Sequence, residues 1–489
     1  MNSKNVLVIL CDQLRKDCLG CYGNPYIKTP NIDALAREGL RFNRNYVVNP
    51  ICMPNRLSLF TGMYPRNHGV WTNGLLVRDD GYTMMDRLTE AGYQTANIGK
   101  IHFEPMGNCG SSRESHSYWE GRGGVDEFHG PYWGFDYVEI TNSHGGASMH
   151  MVKWYYENGG TDDMLVRRSA SGDRDGGVRS LPDRLTSSAF VGERTVNYLE
   201  NIRDKEKPFF LVASFPDPHH PFVASEERMA ARGYDNIGSP VGTPEDLQSR
   251  PLHYQQHLVG SWGRAGSGGI ATRPGGIPET VARERTAHTY AMIELIDEYV
   301  GMILSSVREQ GLEDDTMILF TSDHGELLGD FGLWHKGPFF YEGMIGTPLI
   351  MKIPGVSPGA KDSLFSAVDM APTILDLLEI GVPFYMDGVS QAPVVRREND
   401  SVRDHCLTDY RNGFGDKDCN SKALVTKDYK YVRHQTGERE LNDLINDSEE
   451  KKNVSGDAEY YEIERQMENR LLDALLNTES KIPAQLCHA

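Results

Sequence analysis

Four apolar runs in this chain each end in a polar cluster, and this repeated ending limits the folds that the chain can adopt. The runs cover residues 5–10, 95–98, 208–215 and 317–321. Continuous apolar runs of this kind are typical of strands buried on both faces of a parallel sheet. The polar residues that follow them are Asp12 and Gln13, Lys100 and His102, His219, and Asp323 and His324. Because ligands gather at the carboxyl ends of strands in open α/β sheets, one site at that edge accounts for all four endings.

The rest of the chain supplies the helices that such a sheet needs and a second region of different character. We expect helices over residues 31–39, 187–198, 279–309 and 369–378, and one more strand over 348–352. Beyond a proline- and glycine-bearing boundary near residues 382–400, short strands are expected at 422–426, 429–434 and 440–444, followed by an amphipathic helix over 459–476. The sequence therefore predicts an α/β domain over residues 1–385, with a mostly parallel central sheet flanked by helices, and a smaller C-terminal α+β subdomain over 386–489.

Two segments are rich in glycine and short of regular pattern. We expect residues 105–190 to form long surface loops with a small hairpin over the site, and residues 230–285 to form a second lid. The first segment carries aromatic side chains that suit a sugar or an aryl leaving group: Trp119, Tyr132, Trp133, Trp154 and Tyr155.

Cys52, Pro54 and Arg56 stand just ahead of an apolar helical run. Pro54 suits the first turn of a helix, where its missing N–H costs nothing, so Cys52 is expected at the helix N-terminus. Free N–H groups and the helix dipole favour an anion there, and Arg56, one turn in, can offer it a planar set of donors. Alone, the three residues also fit a buried structural cysteine beside a surface arginine. The strand endings elsewhere favour a site.

This C-x-P-x-R motif resembles the signature of the type I sulfatases, in the alkaline-phosphatase-like superfamily. Thr61-Gly62 matches the end of that signature, whereas Met53 and Asn55 stand where small residues are usual. Other matching segments are Gly92–His102 (G-Y-x-T-x-x-x-G-K-x-H), Pro218–Pro221 (P-H-x-P), Ser322–Gly325 with the later Lys336, and Glu440–Asn453. The last segment resembles the family's C-terminal antiparallel sheet packed by one helix. The resemblance covers nearly the whole chain except the two glycine-rich segments.

The resemblance implies hydrolysis of a sulfate monoester to an alcohol and sulfate. In the family, a maturation enzyme oxidises the motif cysteine, here Cys52, to formylglycine, and a hydroxyl of its gem-diol attacks sulfur. The implied catalytic residues are Cys52, Arg56, Lys100, His102, His219 and Lys336, and the implied substrate contacts are Asn73, Lys100, His219 and Lys336. Cationic side chains neutralise the sulfate, His219 with Lys336 assists the departing alcohol, and His102 takes a proton as the diol collapses.

A divalent cation is expected at the ends of the first and fourth runs. The expected ligands are Asp12, Gln13, Cys52 in its matured form, Asp323 and His324. Carboxylate and amide oxygens suit a hard cation such as Ca²⁺ or Mg²⁺, and a histidine ligand moves the preference towards Mn²⁺. The resemblance favours Ca²⁺.

Charge and hydropathy limit the partners. The formal net charge is −19, which argues against a nucleic-acid partner because such binding needs a basic face. A small anionic ester is still acceptable, since a pocket can oppose the overall charge. No stretch approaches the length of a membrane span, and no signal-peptide pattern precedes the first strand, so we expect no membrane partner and a cytoplasmic location. A homo-oligomer is left open.

Three other interpretations stay open. A phosphonate monoester or phosphodiester hydrolase of the same superfamily shares the C-x-P-x-R, D-Q and D-H elements, but resembles the chain less at Lys100 and His102. A non-catalytic anion-binding protein on the same fold is expected to lack Cys52 or a metal ligand. A zinc phosphatase is expected to carry a serine or threonine nucleophile and more histidines.

Overall fold

The computed structural model describes residues 4–107, 109, 112–120, 127–144, 146–165, 167–168, 176–179, 181–258, 278–412 and 419–481. The described strands are, in chain order, β1 (Asn5–Cys11), β2 (Leu40–Tyr46), β3 (Gln94–Gly99), β4 (Tyr137–Ile140), β5 (Arg167–Arg168), β6 (Gly176–Arg179), β7 (Phe209–Phe215), β8 (Phe222–Ser225), β9 (Thr316–Ser322), β10 (Gly346–Lys352), β11 (Gly359–Ser366), β12 (Cys406–Asn412), β13 (Cys419–Val425), β14 (Tyr429–His434) and β15 (Arg439–Asp443).

The described α-helices surround these strands. They are α1 (Pro30–Glu38), α2 (Cys52–Thr61), α3 (Pro65–His68), α4 (Met84–Glu90), α5 (His116–Glu120), α6 (His150–Glu157), α7 (Ser187–Asn197), α8 (Glu226–Arg232), α9 (Leu252–Leu258), α10 (Glu279–Glu309), α11 (Glu342–Ile345), α12 (Met370–Leu377), α13 (Ala392–Val395) and α14 (Tyr461–Asn477). The predicted helices at 31–39, 187–198, 279–309, 369–378 and 459–476 correspond to α1, α7, α10, α12 and α14.

Eight strands form the central sheet in the order β11-β2-β10-β9-β1-β7-β3-β4. β10 is antiparallel to both its neighbours, and the other pairings are parallel. The expectation of a mostly parallel central sheet is therefore confirmed. The four strands predicted to end in polar clusters are consecutive in the order β9-β1-β7-β3, so their carboxyl ends meet at one edge.

Strand β1 shows why these runs are apolar throughout. Val8 and Leu10 pack into a hydrophobic layer shared with α2 and α12, whereas Leu7 and Ile9 pack into a second layer shared with α7 and α10. Successive side chains of a strand point to opposite faces, and both faces are covered by helices. Strand β1 therefore does not alternate between apolar and polar residues, as a strand with one face in solvent would.

A separate four-stranded antiparallel sheet, β12-β13-β14-β15, forms the C-terminal subdomain. Helix α14 packs on it through Met467 and Leu471. The predicted antiparallel subdomain is thus confirmed, and its boundary at residue 386 stays a prediction. The subdomain also contacts the large domain close to Cys52, since the N–H of Asp409 in β12 donates to the carbonyl of Val48 at 2.7 Å.

The two glycine-rich segments are more structured than expected where the structure describes them. Residues 137–140 form β4, an edge strand of the central sheet, so the expectation of surface loops is wrong there. In the same segment β5 pairs antiparallel with β6, which also pairs with β8, and the expected hairpin over the site stays a prediction. The glycine-rich tract 265–269 lies outside the described residues. None of the described helices combines the length and the apolar composition needed to cross a bilayer.

Candidate active site

The ends of the four adjacent strands bring the predicted polar residues together. Backbone pairing continues one residue past each strand: the N–H of Asp323 donates to the carbonyl of Cys11 at 3.1 Å, and the N–H of Lys100 donates to that of Ser214 at 2.9 Å. The N–H of Asp12 donates in the same way to Phe215, at 3.1 Å. Side chains of neighbouring strand ends are therefore held on a common rigid edge.

Cys52 is the first residue of α2, as the sequence predicts, and the whole helix is buried. Asn55 secures this end: its side-chain amide donates to the carbonyl of Asp323 at 2.5 Å, and its oxygen accepts from the N–H of Val48 at 2.9 Å. Asn73 lies close by, accepting from the N–H of Met53 at 3.1 Å. The substitution of Asn for a small residue at position 55 thus ties the helix to the sheet edge.

The Cys52 thiol lies in a cationic environment. Its Sγ is 2.7 Å from Lys336 Nζ and 3.2 Å from His324 Nε2. Burial and the Asp12 carboxylate act to raise the pKa of Cys52, but the charges of Lys336 and Lys100 outweigh them and lower it. This end of the helix therefore favours negative charge at position 52.

Lys336 lies at the centre of the contacts around Cys52. Its ammonium group lies 2.9 Å from His219 Nε2 and 3.2 Å from His324 Nε2, in addition to the cysteine sulfur. Three N–H donors thus face three acceptors. Burial acts to lower the pKa of Lys336, but Cys52 and Asp12 raise it, so the group keeps its charge.

Arg56 is completely buried, and most of its donors are already used by the protein. Its Nε donates to Asp323 Oδ2 at 2.6 Å, and its Nη1 donates to the carbonyl of Lys100 and to Ser214 Oγ, both at 3.0 Å. Its Nη2 lies 3.9 Å from Asp12 Oδ2 and has no hydrogen-bond partner among the described residues. One donor nitrogen is thus left for an oxyanion, while the others hold three strand ends together.

Four predicted metal ligands form one buried cluster. Ligand atoms of Asp12, Cys52, Asp323 and His324 all lie within 4.8 Å of one another. Two further observations fit a hard cation: Asp12 Oδ1 and Gln13 Oε1 are buried oxygens for which the described residues provide no hydrogen-bond partner. An unpaired buried oxygen is costly, and a cation would satisfy both.

The tautomer of His324 also fits a ligand role. Its Nδ1 lies 2.8 Å from the carbonyl of Gly325, which can only accept, so Nδ1 carries the proton. Its Nε2 then presents a lone pair to the cluster, 3.6 Å from Asp12 Oδ1. A carbonyl that fixes a histidine in this way is the usual support of a metal-binding imidazole.

Lys100 and His102 occupy different positions after β3. Lys100 is buried and forms an ion pair with Asp12 Oδ2. Burial opposes ionisation of Asp12, yet Lys100, Lys336 and Arg56 together hold its pKa well below the ordinary value. His102 is also buried, and its Nδ1 has no partner in the described part of the chain. Burial and the charge of Lys100 lower the pKa of His102, so its imidazole is neutral.

His219 is fixed at both ring nitrogens. Its Nδ1 lies 2.6 Å from the carbonyl of His220 and therefore carries the proton, which leaves Nε2 to accept from Lys336. Burial, followed by the neighbouring His144 and His220, lowers its pKa well below the ordinary value. The neighbour His220 instead faces Gln13, with Nδ1 3.3 Å from Gln13 Nε2.

Sequence reasoning did not identify three residues at this edge: His144, Ser214 and Glu326. His144 Nε2 is 3.1 Å from Lys100 Nζ, and Ser214 accepts from Arg56. Glu326 accepts from the Gln13 amide, and burial raises its pKa to about 7. His144 could have been found by recognising the run at 137–140 as a strand, since it would then lie just past a carboxyl end.

The sequence matches the family model described as Sulfatase over residues 4–380, and the model described as N-sulphoglucosamine sulphohydrolase, C-terminal, over residues 329–477. An arylsulfatase of Clostridium perfringens (strain 13 / Type A) is 29% identical over an alignment of 481 positions, gaps included, that covers 94% of this chain and 91% of that protein. The multifunctional alkaline phosphatase superfamily protein PehA of Trinickia caryophylli is 30% identical over an alignment of 511 positions, gaps included, that covers 96% of this chain and 95% of that protein. Among solved structures, the phosphonate monoester hydrolase of Agrobacterium radiobacter is similar with a TM-score of 0.83 and 25% sequence identity, covering 99% of this chain and 98% of that one.

Proposed function

The chain belongs to the sulfatase family and is a sulfuric ester hydrolase, and on that premise we propose that it cleaves a sulfate monoester with a formylglycine made from Cys52. The observation that carries the proposal is the local environment of the Cys52 side chain. Its side chain lies at a buried helix N-terminus, 2.7 Å from an ammonium group and within 4.8 Å of the donor atoms of a metal-ligand cluster. Residue 52, once matured, is then the nucleophile, and its hydrated aldehyde supplies the attacking hydroxyl.

The sulfate group of the substrate is bound by positive charge. Lys100 and Lys336 each hold an ammonium group in the buried edge, and Arg56 Nη2 offers one more donor. We assign Asn73 to the same group, and its contact with the N–H of Met53 at the start of α2 supports that assignment. These donors neutralise the sulfate oxygens and the charge that develops during transfer, and their burial strengthens that effect.

One divalent cation would be held by Asp12, Gln13, Asp323, His324 and the matured residue 52. When bound, it supplies Lewis-acid charge that stabilises anionic oxygen. The buried, unpaired oxygens of Asp12 and Gln13 support this assignment. We favour Ca²⁺, and the mixture of carboxylate, amide and imidazole donors keeps Mn²⁺ and Mg²⁺ as alternatives.

Two histidines move protons. His219 and Lys336 serve the leaving group as a pair: Lys336 holds the proton and donates to His219 Nε2 at 2.9 Å, and together they stabilise the departing alkoxide and supply its proton. His102 is buried and neutral, so it can accept a proton from residue 52 when sulfate is released. This second step needs a proton acceptor because sulfate leaves by cleavage of the carbon–oxygen bond of the diol, which re-forms the aldehyde and gives up a proton.

The second candidate is hydrolysis of a phosphonate monoester or phosphodiester. The similarity to PehA and to the phosphonate monoester hydrolase favours it. Lys100 and His102, at the element that differs most between the two activities, favour the sulfatase. A maturation enzyme as partner and a cytoplasmic location stay predictions.

The state of residue 52 tests the proposal. Protein produced together with a maturation enzyme is digested, and the mass of the peptide carrying residue 52 is compared with turnover of nitrophenyl sulfate. We expect the aldehyde mass, or its hydrate, in a fraction that rises with activity, and no turnover by a folded Cys52→Ala variant. A fully active preparation whose residue 52 is entirely an alkylatable thiol would contradict the formylglycine.

A further inference from the structure

His144 lies between two residues of the proposed mechanism. Its Nε2 is 3.1 Å from Lys100 Nζ, and its ring stacks on that of His219 with 3.9 Å between centroids and 23° between planes. It therefore contacts both the ammonium group that binds sulfate and the imidazole that serves the leaving group. We propose that His144 is a positioning residue that holds Lys100 and His219 in their working orientations. The inference rests on the function proposed above.

The contact with Lys100 fixes the direction of its ammonium group. A lysine ammonium is a donor with three N–H bonds and no acceptor, so His144 Nε2 must be the acceptor. Asp12 Oδ2 takes a second N–H, and one N–H is left for a sulfate oxygen. Without His144, Lys100 loses one of its two anchoring acceptors, and its long side chain gains freedom to turn away from the substrate.

The contact with His219 covers one face of that ring. His220 stacks on His219 with a centroid distance of 3.9 Å and so provides a second ring contact. The in-plane atoms of His219 are held by the carbonyl of His220 and by Lys336. The ring is thereby restricted in rotation as well as in position, and the alignment of Nε2 with a leaving group depends on both stacked neighbours.

His144 and His219, together with Asp12, could be mistaken for a second metal site. Ligand atoms of Asp12, His144 and His219 lie within 4.8 Å of one another. However, the lone pairs of both imidazoles face ammonium groups, those of Lys100 and Lys336. His324 Nε2 also faces Lys336, but its cluster adds a second carboxylate, Asp323, and lies beside the unpaired oxygen of Gln13. The group with His144 has one carboxylate, Asp12, which already pairs with Lys100, so it has less negative charge to hold a divalent ion. We expect one divalent ion per chain, in the Asp323 cluster, and none here.

Two substitutions separate the two contacts. His144→Gln keeps an acceptor near the position of Nε2 and removes the ring, whereas His144→Phe keeps a ring and removes the acceptor. His116→Gln, at an exposed histidine of α5, is the matched control. Inorganic sulfate binding by calorimetry reports on Lys100 without any need for turnover. The ratio of kcat/KM for nitrophenyl sulfate to that for an alkyl sulfate reports on His219.

Each variant should change one readout and leave the other as in wild type. In His144→Phe, sulfate binding should weaken at least about tenfold, the lower end of the loss expected for a hydrogen bond to a charged group, while the ratio stays within about twofold of wild type. In His144→Gln, the ratio should rise about fivefold, the range of one aromatic stacking contact, while sulfate binding is kept. Equal losses in both readouts for both variants, or no change in either, would overturn the inference. Wild-type protein that turns over no sulfate ester refutes the proposed function instead, and the sulfate-binding comparison of Phe with Gln still decides the contact with Lys100.

Discussion

Removal of the Arg56 side chain should destabilise the folded protein, in addition to any effect on the reaction. Arg56 is fully buried and is the only cation within 2.6 Å of Asp323 among the described ion pairs. Through Nη1 it also bonds the carbonyl that follows β3 and the hydroxyl of Ser214 in β7. One side chain therefore connects α2 with the ends of three strands.

The magnitude follows from those contacts. Breaking a buried ion pair by removing one partner costs about 3–5 kcal/mol, because the remaining carboxylate is left uncompensated. Arg56→Ala should therefore lower the free energy of unfolding by about 3–5 kcal/mol in metal-free protein. Arg56→Lys keeps the charge but cannot reproduce the planar set of donors, and with two hydrogen bonds lost it should cost about 2–3 kcal/mol. Ser214→Ala, which removes a single acceptor, should cost about 1 kcal/mol.

Equilibrium urea unfolding at pH 7 with a chelator present, followed by tryptophan fluorescence, measures all three differences. The slope of each transition must match wild type for the midpoints to be compared. The connecting role of Arg56 is supported if the loss in the free energy of unfolding is largest for Arg56→Ala, smaller for Arg56→Lys and smallest for Ser214→Ala. If Arg56→Ala unfolds within about 1 kcal/mol of wild type, Asp323 does not depend on Arg56 and the electrostatic description of the site is wrong.

Three further predictions concern the metal, the leaving group and pH. Asp323→Asn should reduce the divalent metal content, measured by elemental analysis, from about one ion per chain to near zero, and retention of the ion would contradict the proposed ligand set. His219→Ala should lower kcat/KM for an alkyl sulfate at least about 100-fold more than for nitrophenyl sulfate, whose phenolate leaves without a proton; equal losses would limit His219 to positioning. Burial acts to raise the pKa of Glu440, but the His434 hydrogen bond and the Arg250 charge lower it from 4.5 to about 2. Because the folded pKa is depressed, this carboxylate contributes stability above pH 4.5, and about 3 kcal/mol is lost as pH falls towards 2; urea unfolding from pH 5 to pH 3 should be less pH-dependent in Glu440→Gln.

The sequence was most informative where both faces of a strand are buried. The runs that became β1, β3, β7 and β9 are apolar throughout, so their existence and their polar endings could be predicted without knowledge of the fold. Strand β2 carries Arg41, Asn43 and Arg44, and was missed because its long polar side chains reach the surface from a sheet position. Strand β4 has four residues within a glycine-rich segment, and edge strands of that length carry little pattern.

Positions near the chemistry could be predicted, but the pairings among them could not. That Lys100 and Asp12 approach each other follows from the adjacency of β3, β7 and β1, which no local pattern encodes. The same holds for Arg56: its position one turn into α2 predicted donors for an oxyanion, whereas most of those donors bind the protein itself. His144 escaped notice because the strand that places it was not recognised.

The most direct test of the central claim compares three esters that share one aryl leaving group: a sulfate monoester, a phosphonate monoester and a phosphodiester. With matured protein and its metal, the account predicts the highest kcat/KM for the sulfate monoester, because Lys100 binds the sulfate group and His102 accepts a proton when sulfate is released from residue 52. Lower activity on the other two is expected, since the cationic edge does not separate sulfur from phosphorus sharply. A phosphonate or diester preferred by tenfold or more, about 1.4 kcal/mol of transition-state stabilisation, would contradict the account and favour the second candidate function.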